Sequence, residues 1–353
     1  MTRFALDRLA YPIVQAPLAG GPSTPALAAA VSAVGGLGFL ATGYKTPEAV
    51  EADVDAVREI TSAPFGVNVF AAGGVPAEPA EVDRYAGALQ GESDRLGVAL
   101  GVPRFDDDEF VAKVELLRRL RPAVVSFTFA IPDAATIASL QAGGIAVWIT
   151  ITTVAEAKAA ADAGADALVV QGFEAGGHRG TFDDAAPGDV GLLPLLQLVA
   201  AATPAVPLVA AGGVATGAGV AAVLAAGAAA AQLGSAFMLT PEAGTSQPHR
   251  TALAEPATTT ALTRAFSGRT ARGIVNRFLR DHDAEAPRGY PEVHHMTAPL
   301  RAAARERGDA DAINLWAGQA HALAEPLPAG ELVERLAADA RTALRAAVER
   351  TGA

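Results

Sequence analysis

The chain has 353 residues, 51% of them hydrophobic and 18% charged, with a net charge of -11 and no cysteine. This composition predicts a folded globular protein with a large core, and it excludes disulfides, thiolate metal sites, iron–sulfur clusters and a cysteine nucleophile. The negative charge argues against nucleic acid as a partner, because phosphate binding needs a concentrated basic face.

The start of the chain, residues 1–8, contains an acidic residue and no apolar segment, so it does not resemble a signal peptide. The longest run of small apolar residues, 214–233, is interrupted by three glycines and is too weakly hydrophobic for a membrane span. We therefore expect a cytoplasmic protein that does not bind membranes.

One unit recurs along the chain: an alanine-rich helical stretch, a glycine and a short apolar strand. Glycine after the last helical turn is a typical C-cap, and short continuous apolar runs are typical of parallel strands buried on both faces. Thr46 before Pro47, and Thr153 three residues before Glu156, predict the starts of two helices.

Eight strands are predicted in chain order, near residues 13–16, 37–41, 65–69, 123–128, 145–150, 166–171, 207–211 and 229–234. Strands that alternate with helices form a parallel sheet, and eight of them close into a (β/α)8 barrel. The expected fold is therefore an α/β TIM barrel.

Two regions do not fit eight plain repeats. Residues 70–122 are too long for one loop and one helix, and residues 240–353 follow the last predicted strand. The second region ends in a charged helix predicted from about Gly330 to Thr351. We predict a barrel core over residues 1–240, and an insertion with C-terminal helices over residues 241–353 that covers the barrel mouth and helps to bind substrate.

Glycine turns follow both the seventh and the eighth predicted strand, where barrel enzymes commonly bind phosphate. They are Gly212-Gly213 and Gly234-Ser235. Exposed glycine N–H groups, and a serine hydroxyl at the start of a predicted helix whose dipole favours an anion, indicate a phosphate-bearing ligand. Either turn alone is more often structural, so the prediction depends on the pair.

Polar side chains also lie at other strand ends. Asn68 in the third strand and Gln171 at the end of the sixth either bind a ligand or satisfy buried backbone groups, and the neighbourhood of Gln171 favours the ligand. Tyr44 and Lys45, just past the second strand, either contact substrate or cover the barrel.

The loop after the sixth strand, residues 171–180, reads QGFEAGGHRG. Its glycines permit tight turns, and His178 titrates near neutrality, but a loop histidine is more often structural than catalytic. Glu174 either orients the imidazole or is a solvated carboxylate. No histidine pair has metal-ligand spacing, so no metal site is predicted. The three arginines of residues 267–278 are expected on a solvated or salt-bridged face.

Together these segments resemble class I nitronate monooxygenases, formerly called 2-nitropropane dioxygenases. The matching blocks come in the family's order over roughly residues 12–320: QAPLAGG (15–21), the Asn68 strand, QGFEAGGHRG (171–180), AAGGV (210–214), QLGS (232–235) and GRTARGIVNRF (268–278). A related histidine loop occurs in FMN-dependent enoyl reductases and quinone reductases. The arginine-rich block after the barrel is what favours nitronate oxidation.

The resemblance implies FMN-dependent oxidation of alkyl nitronates by O2 to a carbonyl compound and nitrite, with propionate 3-nitronate as the typical substrate and detoxification as the role. It implies that His178 is catalytic, either as a cation that holds the nitronate or as a neutral base that deprotonates a nitroalkane. The barrel residues implied to bind FMN are Ala16, Pro17, Asn68, Gln171, Gly176, Gly177, Gly212, Gly213, Gln232, Leu233, Gly234 and Ser235.

Two alternatives stay open at this stage. One is an FMN-dependent reductase of enoyl thioesters or quinones that uses NAD(P)H, because such enzymes share the histidine loop. The other is an FMN- or phosphate-binding barrel without chemistry. In each case we expect a monomer or homodimer with small-molecule ligands.

Overall fold

The computed structural model describes residues 3–71 and 74–351. Its strands are β1 (Ile13–Gln15), β2 (Phe39–Ala41), β3 (Gly66–Phe70), β4 (Val124–Thr128), β5 (Ala146–Ile151), β6 (Ala167–Gln171), β7 (Gly177–His178), β8 (Leu208–Ala211), β9 (Ala230–Leu233), β10 (Thr260–Thr263) and β11 (Ala271–Ile274). Eight of them form one parallel sheet in the order β1-β9-β8-β6-β5-β4-β3-β2. All eight predicted strands are confirmed.

The sheet closes on itself at residue Leu37, which lies just before β2. Leu37 pairs in parallel with Val14 of β1, and its N–H donates to the Ile13 carbonyl at 3.0 Å. The Gln15 N–H in turn donates to the Leu37 carbonyl at 2.9 Å. These bonds complete a (β/α)8 barrel, as the sequence predicts.

The α-helices are α1 (Pro25–Ala33), α2 (Pro47–Ile60), α3 (Pro79–Ala88), α4 (Gln90–Leu96), α5 (Phe110–Leu120), α6 (Ala134–Ala142), α7 (Val154–Asp162), α8 (Leu192–Ala202), α9 (Gly217–Ala225), α10 (Gln247–Ala254), α11 (Arg277–His282), α12 (Glu292–Glu306) and α13 (Ala329–Thr351). Both predicted caps are confirmed. The Thr46 hydroxyl accepts from the Ala49 N–H at the start of α2. Thr153 and Glu156 form a reciprocal capping box at the start of α7.

The C-terminal helix α13 does not lie over the barrel mouth, so that expectation is wrong. It packs against α9 and α1 on the barrel wall, and its buried residues Leu332, Val333 and Leu336 belong to the barrel core. The contact with α9 is so close that a Cβ on Gly217 would lie 2.3 Å from the Asp339 Cβ. The reason is that only a short turn follows β9, so α13 fills the place of the eighth barrel helix.

A second hydrophobic core covers the barrel mouth, and it is built from two separate parts of the chain. Helices α3 and α4 pack against side chains between residues 238 and 317. The Tyr85 hydroxyl, for example, donates to the Ala265 carbonyl at 2.7 Å. The cover therefore includes part of the 70–122 insertion as well as residues after the barrel.

A small antiparallel sheet joins this cover to the barrel. β11 pairs with β10 on one side and with β7 on the other, so that Ala271 lies opposite His178. The arginine-rich segment thus fixes the backbone of the histidine loop. No helix within residues 3–71 and 74–351 combines the length and the apolar character that crossing a membrane requires.

Candidate active site

A cavity of about 350 Å³ lies at the carboxyl ends of the barrel strands, beneath the cover. This volume is within the range of small-molecule sites, and the position is where barrel enzymes carry their active sites. Although the net charge of the chain is -11, no aspartate or glutamate of the described residues lines the cavity. An anionic ligand would meet no like charge on its walls.

The cavity gathers nearly all of the residues that the sequence singled out. Those that line it are Ala16, Pro17, Tyr44, Asn68, Gln171, Gly176, Gly177, His178, Gly212, Gly213, Gln232, Gly234 and Ser235. Leu233 and Lys45 do not. Successive strand side chains point to opposite faces, so Gln232 faces the cavity while Leu233 packs in the core. Lys45 makes an ion pair with Asp53 of α2.

The glycine turns after β8 and β9 present free backbone donors. Gly212 and Gly213 have φ values of 109° and 70°, which glycine adopts without strain. The N–H groups of Gly213 and Gly234 have no acceptor within the described part of the chain, and the Ser235 hydroxyl accepts from the Gly318 N–H at 2.9 Å. Two N–H groups and a hydroxyl at one end of a cavity suit a phosphate.

The predicted contribution of a helix dipole at Ser235 is wrong. The segment Ser235–Phe237 is a single turn of 3-10 helix, and the chain does not continue from it into an α-helix. One turn has too few aligned peptide dipoles to produce the end charge of a full helix. Anion binding at this end therefore depends on the individual N–H groups and the hydroxyl.

Asn68 presents an acceptor to the cavity. Its Nδ2 donates to the Ser126 carbonyl at 3.2 Å, to the Ser126 hydroxyl at 2.9 Å and to Thr128 Oγ1 at 3.0 Å. The backbone carbonyl fixes the orientation of the amide, because it cannot pair with Oδ1. Oδ1 has no donor among the described residues and is left for a ligand.

Gln171 serves the loop as well as the cavity. Its Nε2 donates to the His178 carbonyl at 3.1 Å, and its Oε1 accepts from the Gly180 N–H at 2.8 Å and from Arg179 at 3.2 Å. One amide N–H remains for a ligand, since Nε2 carries two hydrogens. Gln171 can therefore satisfy backbone groups of the loop and still bind a ligand.

Two arginines hold the loop through its backbone carbonyls. Arg179 is fully buried and donates to the Gly172 carbonyl at 2.6 Å. Arg272, 3% exposed, donates from two nitrogens to the Phe173 carbonyl at 3.1 and 3.2 Å. The expectation of a solvated or salt-bridged face is wrong for Arg272, because the loop carbonyls take the place of water and carboxylates.

Arg269 and Arg277, the other two arginines of residues 267–278, lie in different environments. Arg269 is also buried, with its guanidinium 4.0 Å from the centre of the Phe129 ring and a hydrogen bond to the Thr181 carbonyl. This is the cation–π geometry, and here too the solvated expectation is wrong. Only Arg277 is salt-bridged as expected, with Glu92 and Asp281.

Glu174 neither orients the imidazole nor lies free in solvent, so both readings of this residue are wrong. Its two carboxylate oxygens accept from the Leu192 N–H at 2.9 and 3.1 Å. Leu192 is the first residue of α8. The carboxylate therefore caps that helix, at the terminus where negative charge is favourable.

His178 projects into an aromatic box. The centre of its ring lies 5.9 Å from that of Phe129, 5.6 Å from that of Tyr290 and 5.5 Å from that of Trp316. Its Nε2 lies 2.8 Å from the Ser267 hydroxyl oxygen. One polar partner in an otherwise apolar box fixes the ring, which is half-buried and lines the cavity.

The imidazole of His178 is neutral at physiological pH. Burial, with the charges of Arg269 and Arg301 adding to it, lowers the pKa of His178 to about 3. The Ser267 hydroxyl has one proton, which it donates to the Arg269 carbonyl at 3.2 Å. In this arrangement the His178 Nε2–H donates to Ser267, and Nδ1 carries the lone pair of a base.

A second aromatic group continues the wall beyond His178. The rings of Tyr44 and His294 stack 3.9 Å apart, and the Tyr290 hydroxyl donates to the Tyr44 hydroxyl at 3.2 Å. Burial raises the pKa of Tyr44 to about 12 and that of Tyr290 well above its usual value, so both remain phenols. Tyr44 thus lies at the cavity, and its contact with substrate stays a prediction.

Sequence reasoning missed several of these side chains: Ser267, Phe129, Tyr290, His294, Arg301 and Trp316. Of these, Ser267 lies in a segment that the sequence pattern indicated, residues 267–278, and there the three arginines are the stronger signal. Phe129, with a φ of 85°, and the residues of α12 carry no local sequence signal.

The model of the nitronate monooxygenase family matches residues 4–339 of this chain. The chain belongs to the nitronate monooxygenase family. A nitronate monooxygenase from Pseudomonas aeruginosa is 43% identical over 346 residues, which cover 94% of this chain and 96% of that protein. Members are FMN-dependent oxidoreductases, so the activity of this chain is the oxidation of nitronates with O2.

Solved structures agree with this family assignment. A nitroalkane oxidase from Streptomyces ansochromogenes has a TM-score of 0.92 and 50% identity, with 97% of this chain and 99% of that chain covered. FabK from Thermotoga maritima has a TM-score of 0.76 and 25% identity, with 98% and 96% covered. The nitronate monooxygenase family therefore shares its barrel and cover with FabK, while the higher identity lies on the nitroalkane side.

Proposed function

We propose that this enzyme oxidises propionate 3-nitronate in preference to other nitronates, in a detoxifying role, with FMN bound in the cavity and His178 as the catalytic residue. The observation that carries the proposal is a cavity that a buried arginine, Arg301, lines and no described carboxylate does. A nitronate is an anion, and such walls favour it over neutral or cationic molecules.

The cavity residues fit FMN. Gly213, Gly234 and Ser235 would hold its phosphate, because their free donors converge at one end. Asn68 Oδ1 and the remaining N–H of Gln171 would bind the polar edge of the flavin ring. The bound flavin supplies the electron transfer from the nitronate, and the protein supplies position and electrostatics.

His178 is proposed to act as a base when the substrate is a neutral nitroalkane. Ser267 holds the ring through Nε2, and Nδ1, which has no hydrogen bond among the described residues, would take the proton from the carbon next to the nitro group. A nitronate has already lost that proton, so it needs no base. Of the two roles that the sequence allowed, the neutral one agrees with burial among aromatic rings.

The test is steady-state kinetics with the purified, FMN-loaded protein. We expect oxygen consumption and nitrite formation from propionate 3-nitronate without any nicotinamide, with a higher kcat/KM than for ethyl nitronate. A higher kcat/KM for ethyl nitronate would overturn the substrate preference. Absence of nitrite with every nitronate in a panel would overturn the proposed reaction.

Replacement of Ser267 by alanine is expected to lower kcat with nitroethane about tenfold, because the imidazole loses the one polar partner that the described residues give it and its preferred tautomer. FMN content should not change. Ser139→Ala, an exposed serine on α6, is the matched control. A kcat equal to that of the control would show that Ser267 does not position His178.

The pH dependence with nitroethane offers another test. Because its pKa is lowered to about 3, His178 stays unprotonated as the pH falls from 7 to 5, so kcat/KM should stay nearly constant. A histidine with the ordinary pKa of about 6.5 would be mostly protonated at pH 5, with a loss of about 30-fold. A fall in kcat/KM that starts near pH 6.5 would contradict the neutral buried base.

We also propose that the FMN contacts lie within residues 1–240 and that the cover within 241–353 contributes to substrate binding.

A monomer or homodimer in the cytoplasm remains the prediction for the whole protein. Light scattering of the purified enzyme would decide between the two states.

A further inference from the structure

Arg301 on α12 is a buried cation with one end free. It is 8% exposed and lines the cavity. Its Nε donates to Thr297 Oγ1 at 3.1 Å, and its Nη2 donates to the carbonyl of His294 at 2.8 Å and to the imidazole Nδ1 of His294 at 3.3 Å. Its Nη1 has no acceptor among the described residues, and its two N–H groups are left for a ligand.

The charge of Arg301 has no counter-ion in the described structure. The groups whose charges act on it are Arg305 and the hydroxyls of Tyr44 and Tyr290, and those phenols are neutral. A buried charge without a partner is strongly unfavourable. An anion that enters the cavity would relieve this cost.

Arg301 differs in this respect from the other buried arginines. Arg179 and Arg272 are occupied by loop carbonyls, and Arg269 lies on an aromatic face. Only these four arginines are nearly fully buried among the described residues. Of the four, Arg301 is the one that lines the cavity. Its free end is therefore suited to a ligand rather than to holding the fold.

Arg301 lies apart from His178 along the cavity wall. Tyr290 lies between His178 and His294, at ring distances of 5.6 and 6.4 Å. His294 in turn accepts from Arg301 at Nδ1, so its own Nε2 carries a hydrogen. His178, Tyr290 and His294 thus form one aromatic wall of the cavity, and Arg301 lies beside His294.

We propose that Arg301, supported by His294, binds the carboxylate of nitronates that carry one, and so makes the enzyme prefer them to simple alkyl nitronates. The proposal rests on the nitronate oxidation proposed above and names the residue that gives it its substrate preference. A carboxylate that accepts from the two free N–H groups of Nη1 would form charge-assisted hydrogen bonds there and supply the missing counter-charge.

The experiment compares two substrates in two variants of the holoenzyme. Arg301→Met keeps the length of the side chain and removes the charge. We expect kcat/KM for propionate 3-nitronate to fall about 10- to 100-fold, and kcat/KM for propyl nitronate, which lacks the carboxylate, to change by less than about threefold. Arg280→Met, an exposed arginine on α11, is the matched control and should change neither.

Several outcomes would overturn the proposal. An equal loss with both nitronates would mean that Arg301 acts on the nitronate group or on the fold. Loss of FMN from the variant would mean that the arginine serves the cofactor phosphate. If Arg301→Met does not fold, Arg301→Lys, which keeps the charge but not the planar fork, should show a smaller loss confined to the carboxylate substrate.

A binding measurement separates this proposal from the proposed reaction. Succinate places two planar anionic groups two carbons apart, as propionate 3-nitronate does, and butyrate has only one. Calorimetry should show that wild-type holoenzyme binds succinate more tightly than butyrate, and that Arg301→Met removes at least tenfold of that preference. This result would stand even if the wild type oxidised no nitronate. No preference in the wild type would overturn the role of Arg301.

Discussion

Replacement of His178 by alanine is expected to lower kcat/KM for nitroethane by about 10²- to 10⁴-fold, the usual contribution of a positioned base. The reason is that Ser267 holds His178 at the cavity with Nδ1 unpaired among the described residues, and no described carboxylate lines the cavity to replace it. FMN should remain bound, because the residues proposed to hold its phosphate and ring lie elsewhere. Nitrite formation and flavin absorbance of the purified variant measure the two effects.

The substrate itself supplies the control for this variant. With ethyl nitronate, which carries no proton to remove, His178→Ala should lose much less activity than it loses with nitroethane. An equal loss with both substrates would show that His178 acts on the anion rather than on the proton. Full activity with nitroethane would remove His178 from the chemistry altogether.

Replacement of Asn68 by leucine is expected to weaken FMN binding by about 10- to 100-fold, because a similar volume without polar atoms leaves a donor of the flavin unpaired. Asn68 is 3% exposed, and its Nδ2 is held by Ser126 and Thr128, so that Oδ1 is pre-oriented toward the cavity. Fluorescence titration of the apoprotein with FMN measures the dissociation constant.

Ser126→Ala is the matched control for Asn68. It removes one of the hydroxyls that hold Nδ2 and leaves Oδ1 in place. We expect at most a few-fold change in the dissociation constant of FMN. Equal effects of the two substitutions would show that Asn68 acts only by joining β3 to β4. In that case the proposed contact of Asn68 with the flavin would be wrong.

The barrel could be predicted from the sequence because its signals are local. Each strand is a short apolar run, and caps such as Thr153 with Glu156 lie within one turn of the helix they start. The residues after β9 are different: the eighth barrel helix comes nearly a hundred residues later in the chain, since the cover is inserted before it. No local pattern reveals that α13 belongs to the wall.

The placement of the two glycine turns and of His178 at the cavity could be predicted because they follow strands, where a barrel fold concentrates its loops. Arg301 and His294 could not, since they lie on a helix of the cover whose position depends on long-range packing. The surroundings of the arginines also depend on burial, which long-range packing sets. A sequence shows that residues 267–278 are basic, but not that loop carbonyls and a phenylalanine ring will surround Arg272 and Arg269.

Anaerobic spectrophotometry of the FMN-loaded protein tests whether the enzyme oxidises nitronates at its flavin without nicotinamide. Propionate 3-nitronate and NADH or NADPH are added in separate cuvettes. We predict a rapid change of flavin absorbance with the nitronate and little or none with the nicotinamides. Rapid bleaching of the flavin by NADH or NADPH, with no response to the nitronate, would contradict nitronate oxidation and favour the reductase alternative.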